Sequence, residues 1–118
     1  MVKYNLLLVE DDFEISKKLF TTFKDLNSID VVDVSENVKE GIQKLSTSKY
    51  DILILDLNLP DGNGVEVLKW VKEKKIAIKV FIFSLNTELK KICLRLGADQ
   101  FFDKSNDFDS LLEHIKNN

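Results

Sequence analysis

Many functional signatures are missing from this chain. It has one cysteine, one histidine, one proline and four glycines in 118 residues. Cys93 alone can form no internal disulfide; it falls on the apolar stripe of an expected helix, where a small buried hydrophobe fits. His114 lies in the last expected helix at a solvated polar position, and no nucleophile–histidine pair or zinc-ligand spacing accompanies it. No P-loop is present, and no apolar run approaches a membrane span. The start, Met1 to Asn5 followed by Leu6 to Val9, is too short for a secretory apolar region and lacks a small-residue cleavage site. Lysine and arginine total 17 against 20 aspartate and glutamate, for a formal net charge of −3. The lysines are scattered rather than gathered into a basic block, so direct nucleic-acid binding is not expected. The expectation is a cytoplasmic chain, with no membrane and no nucleic acid among its partners.

What is present is a strict alternation of two segment types, with no low-complexity stretch, internal repeat or long linker. A hydrophobic content of 44% in 118 residues suffices for one core, so residues 1–118 read as one domain. Leu6-Leu7-Leu8-Val9, Ile52-Leu53-Ile54-Leu55 and Val80-Phe81-Ile82-Phe83 are continuous apolar runs, as in strands covered on both faces. Val31-Val32-Asp33-Val34 and Gln100-Phe101-Phe102 are weaker and fit edge strands. Between them fall helical stripes: Ile15, Leu19, Phe23 and Leu26; Val38, Ile42 and Leu45; Val67, Leu68 and Val71; Leu89, Ile92, Cys93 and Leu96; Phe108, Leu111, Leu112 and Ile115. The pattern is (βα) five times. Helical crossovers force parallel pairing with one hand, which predicts an α/β doubly wound parallel sheet with ligands beyond the strand C-termini.

Asp11, Asp12, Asp56, Ser84 and Lys104 each sit just past such a strand. Singly each has an ordinary reading: an N-cap for Asp11 or Asp12, an Asx-turn for Asp56, a helix cap for Ser84 and a solvated lysine for Lys104. A cap needs only one side chain, however, and Glu10 adds further like charge. Three carboxylates brought together would repel by about 4 kcal/mol per pair at an effective dielectric of about 20. A hard cation with open coordination positions, Mg²⁺, suits such oxygen ligands together with a phosphate. Lys104 and Ser84 supply a mobile charge and a hydroxyl for a phosphoryl group in transfer, and Asp56 is the candidate nucleophile for an aspartyl-phosphate.

Val9-Glu10-Asp11-Asp12-Phe13, Leu55-Asp56-Leu57-Asn58-Leu59-Pro60-Asp61-Gly62-Asn63-Gly64, Ser84, and Gly97-Ala98-Asp99 leading through Phe101 to Lys104 together resemble the receiver domain of two-component response regulators. The resemblance covers the whole chain. It implies a CheY-like (flavodoxin-like) sheet of strand order 2-1-3-4-5. It further implies Asp56 as phosphoacceptor, Asp12 and Asp56 as direct Mg²⁺ ligands, Asp11 as a ligand through water, and Asn58 as a ligand through its backbone carbonyl. Ser84 and Lys104 would contact the phosphoryl oxygens, and Phe101 would be a switch residue that swings inward on activation. The implied partners are a sensor histidine kinase or phosphotransfer protein as donor. A homodimer or docked protein is expected on the face of the fourth helix, fifth strand and fifth helix, roughly Glu88 to Ile115, with its mixed charges Lys90, Lys91, Arg95, Asp99 and Asp103. Such a protein is a signalling switch that catalyses only its own phosphorylation and dephosphorylation.

The chain departs from the family pattern at Ser105, where a proline commonly follows the lysine, at Leu85, where a small residue is usual, and at Phe101 in place of tyrosine. Among other readings, a flavin site would need a phosphate loop where Glu10-Asp11-Asp12 would repel phosphate. A Ca²⁺ loop at Asp56 would have Pro60 at a ligand position and Asp61 where the turn glycine belongs. The closest alternative is a degenerate receiver that acts as a protein-interaction module without phosphorylation.

Overall fold

The computed structural model describes residues 2–117; Met1 and Asn118, the ends of the expected domain, lie outside the described residues. Five strands, β1 (Tyr4–Val9), β2 (Ile29–Ser35), β3 (Ile52–Leu55), β4 (Lys79–Ser84) and β5 (Gln100–Asp103), alternate with α1 (Phe13–Lys24), α2 (Val38–Thr47), α3 (Val65–Glu73), α4 (Lys90–Arg95) and α5 (Phe108–Lys116). A small hairpin pairs Asn58–Leu59 with Gly62–Asn63 between β3 and α3, and a 3₁₀ turn, Thr87–Leu89, precedes α4. All neighbours in the five-stranded sheet are parallel, in the order β2-β1-β3-β4-β5. The two weaker strands are the edges, as expected: a strand covered on fewer sides needs fewer apolar positions.

The continuous apolar runs resolve into two interleaved sets. Leu7, Val9, Leu53, Leu55, Val80, Ile82 and Phe101 form one core with residues of α2, α3 and α4, including Leu45, Leu68 and Cys93. Leu6, Leu8, Ile52, Ile54, Phe81, Phe83 and Phe102 form the other with Leu19 and Phe23 of α1 and Leu111 and Ile115 of α5. Successive side chains point to opposite faces, so only a run apolar at every position can serve both layers. Each fully buried Leu or Ile contributes about 1.5–3 kcal/mol relative to exposure, and this fixes the register.

Register brings the strand ends to one edge: Val9 lies beside Ser35 and Leu55, Leu55 beside Ile82, and Ser84 beside Asp103. One expectation about the fourth helix is corrected. Ile92, assigned to an apolar stripe, is 44% exposed, and Cys93 is the one fully buried residue of α4. The segment begins as a 3₁₀ turn and leaves the helix at Gly97, whose φ is +103°, so less than two α-turns remain and few positions face the sheet. Phe101 is only 8% exposed, paired with Ile82 in the first core. Its ring lies inward, in the same core cluster as Cys93 of α4.

Candidate phosphoryl-acceptor and metal site

Asp56 follows β3 and is 4% exposed. Its Oδ1 accepts from the Leu57 N–H at 2.7 Å and, more weakly, from the Asn58 N–H at 3.4 Å, the Asx-turn geometry expected for an aspartate opening a turn. Its Oδ2 accepts from Lys104 Nζ at 3.0 Å. The backbone is equally constrained. The Asp56 N–H donates to the Val9 carbonyl at 3.0 Å, and a Cβ added at Gly64 would run into the Asp56 carbonyl oxygen.

Lys104, just past β5, serves a second carboxylate. Its Nζ lies 2.6 Å from Glu10 Oε1, and Glu10 is 2% exposed. The other Glu10 oxygen accepts from the Asp12 N–H at 3.0 Å. Burial pushes the Glu10 carboxyl up to about 7; the Lys104 hydrogen bond opposes that rise, and the negative charge of Asp56 adds to it. Burial, the largest influence on Lys104, lowers its pKa, but the Glu10 hydrogen bond and the charges of Asp56 and Glu10 together leave the ammonium above its ordinary value. One partly buried cation is thus shared between two buried carboxylates.

The cluster of oxygens that could hold a cation is Glu10, Asp11 and Asp56, each offering an atom within 4.8 Å of the others. Asp12, expected as a direct metal ligand, is instead the N-cap of α1: its Oδ1 accepts from the Glu14 and Ile15 N–H groups at 3.0 and 3.2 Å. The acidic pair is displaced by one residue from the sequence reading, because the ladder continues past Val9. The Glu10 N–H still donates to the Ser35 carbonyl at 2.9 Å, so Glu10 belongs to the sheet edge and Asp12 to the helix. Glu10 is the residue sequence reasoning passed over; the signal was that it directly follows the last apolar position of β1.

Ser84 is fully buried at the end of β4, and its hydroxyl accepts from the Asn86 N–H at 3.1 Å. Its carbonyl accepts from the Lys104 N–H at 3.0 Å, joining two of the expected site residues through the backbone. Leu85 and Phe13, the residues following Ser84 and Asp12, are exposed. No peptide bond among the described residues is cis, so Lys104 to Ser105 is trans; the Ser105 N–H and hydroxyl both donate to Asp103 Oδ1, at 2.9 and 2.7 Å.

A parallel 2-1-3-4-5 sheet with a buried aspartate, a shared lysine and an acidic cluster at its C-terminal edge defines a class of signalling domain. The family model for the response regulator receiver domain matches residues 6–116, and the chain belongs to that family. It is 38% identical over 101 residues to the transcriptional regulatory protein CiaR of Streptococcus pneumoniae, covering 84% of this chain and 44% of CiaR. Among solved structures it is similar to the Francisella response regulator 1452 receiver domain, at 29% identity and a TM-score of 0.86, covering 96% of this chain and 93% of that one. It is also similar to the response regulator TrrA of Thermotoga maritima in complex with Mg(2+)-BeF, at 27% identity and a TM-score of 0.84, covering 97% of both chains. The chain spans about half the length of the curated relatives it matches. Among the described residues no helix is long and apolar enough to cross a membrane.

Proposed function

We propose that Asp56 accepts a phosphoryl group from a phosphohistidine on a sensor kinase or phosphotransfer protein, and that the modified domain signals through its surface. An Asp56 oxygen attacks phosphorus, the phosphorus–nitrogen bond breaks, and its electron pair returns to the donor imidazole. The observation that carries this reading is the charge count at Asp56: three carboxylates, two of them buried, face a single ammonium. All-oxygen donors with an excess of negative charge fit a hard divalent cation, Mg²⁺, held by Asp11, Asp56 and the Asn58 backbone carbonyl, with Glu10 beside them. When bound, such an ion offsets the carboxylate charge and draws in the phosphoryl oxygens.

The remaining roles belong to side chains already in place. Lys104, released from part of its hold on Asp56, neutralises a phosphoryl oxygen, and the Ser84 hydroxyl turns from Asn86 to donate to another. Phe101, buried in the same core as Ile82 and Cys93, already holds the inward position that activation would stabilise. A cytoplasmic location and output by protein contact through α4, β5 and α5 belong to the same reading, since the charges there are mixed in sign. The test is intact-mass measurement after incubation with acetyl phosphate and Mg²⁺. One added phosphoryl group is expected in the wild type and none in Asp56→Asn; an unchanged gain in that variant would overturn the assignment.

A further inference from the structure

The loop that leaves Asp56 makes a hairpin whose turn reaches another element. Asp61, in that turn, accepts from the Val38 N–H at 2.7 Å through one oxygen and from the Lys39 N–H at 3.0 Å through the other. These are the first two amides of α2, which have no partner within the helix. They hold the Asp61 carboxyl below its ordinary value, Lys39 more than Val38. The helix also carries a local cap, Asn37, whose Oδ1 accepts from the Glu40 N–H at 2.7 Å. Capping α2 is therefore only part of what Asp61 does.

Its other consequence runs back along the hairpin. Asn58 pairs with Asn63 and Leu59 with Gly62, on either side of the turn that holds Asp61. On the α3 side the ties are local: the Val65 N–H donates to Asn63 Oδ1, and the Asn63 N–H to Glu66 Oε2. Asp61 instead fastens the hairpin to a helix 22 and 23 residues away in sequence. We infer that Asp61 is a positioning residue for the metal site: by pinning the hairpin to α2 it fixes the Asn58 backbone against Asp56 and couples the first turn of α2 to metal occupancy. This rests on the function proposed above. Coupling of this kind is reciprocal, so a metal that tightens the hairpin also tightens the start of α2.

Two cap variants separate positioning from helix stability. Mg²⁺ affinity is measured by calorimetry on the full chain for wild type, Asp61→Ala, Asp61→Asn and Asn37→Ala, with urea unfolding of each. Asp61→Ala is expected to weaken Mg²⁺ binding about five- to tenfold, Asp61→Asn less, and Asn37→Ala not at all, although both helix caps are lost at comparable cost to stability. Amide exchange at Val38 and Lys39 should slow on adding Mg²⁺ in the wild type and not in Asp61→Ala. Equal affinity in Asp61→Ala and wild type, or an equal loss in Asn37→Ala, overturns the inference alone. A wild type that binds no Mg²⁺ overturns the proposed function and this inference with it.

Discussion

The Glu10 carboxylate lies closer to the Lys104 ammonium, at 2.6 Å, than does the carboxylate of Asp56, at 3.0 Å. The lysine that would serve the phosphoryl group is thus held on the resting protein by a second acid. That acid is inside the sheet edge, where water cannot share the charge. Removing charge from either side of this pair has consequences of opposite sign, which makes it accessible to experiment.

Glu10 should impose a pH dependence in magnesium-free buffer. Its carboxyl is raised from 4.5 to about 7, chiefly by burial. A group raised on folding contributes stability that is complete below its unfolded pKa and is lost as pH rises through the folded one. Urea midpoints of the wild type should therefore fall as pH rises from about 4.5 to about 7, and those of Glu10→Gln should stay flatter over that window. Lys104, raised above 10.5, remains charged throughout and adds no slope there. Parallel pH curves for the two proteins would show that Glu10 does not titrate in this range.

Lys104→Ala leaves Glu10 and Asp56 facing one another with no cation. Breaking one partner from a buried pair costs about 3 kcal/mol, less whatever Glu10 recovers by taking up a proton. In urea unfolding the variant should be destabilised by about that amount without Mg²⁺ and regain a larger increment than wild type when Mg²⁺ is added. An equal Mg²⁺ increment in both would argue that the cation and Lys104 do not share the same charges.

Gly64→Ala tests the close approach behind Asp56. The new methyl would collide with the Asp56 carbonyl oxygen, a backbone atom with little room to move. Overpacking of this kind costs about 1–3 kcal/mol and shifts the backbone that aims Asp56. The variant should be less stable by thermal unfolding and take up phosphoryl groups from acetyl phosphate more slowly than wild type. Normal uptake at reduced stability would confine the effect of Gly64 to packing.

The sequence by itself determined the architecture. Runs apolar at every position, such as Leu6 to Val9 and Ile52 to Leu55, can be satisfied only between two helical layers, and short helical crossovers permit only parallel pairing. It also placed Asp56, Ser84 and Lys104 at strand ends, because the end of an apolar run is visible in one dimension. Tertiary structure decided which acids cluster around Asp56. Glu10, Asp11 and Asp12 are equivalent as a string, and only the Glu10 amide reaching Ser35 and the Asp12 carboxylate capping α1 separate sheet edge from helix start. It likewise decided that Phe101 lies inward, that α4 is too short to bury Ile92, and that Asp61 reaches α2. Each of these depends on contacts between segments far apart in the chain, and pairing distances of that kind are set by packing rather than by local residue pattern.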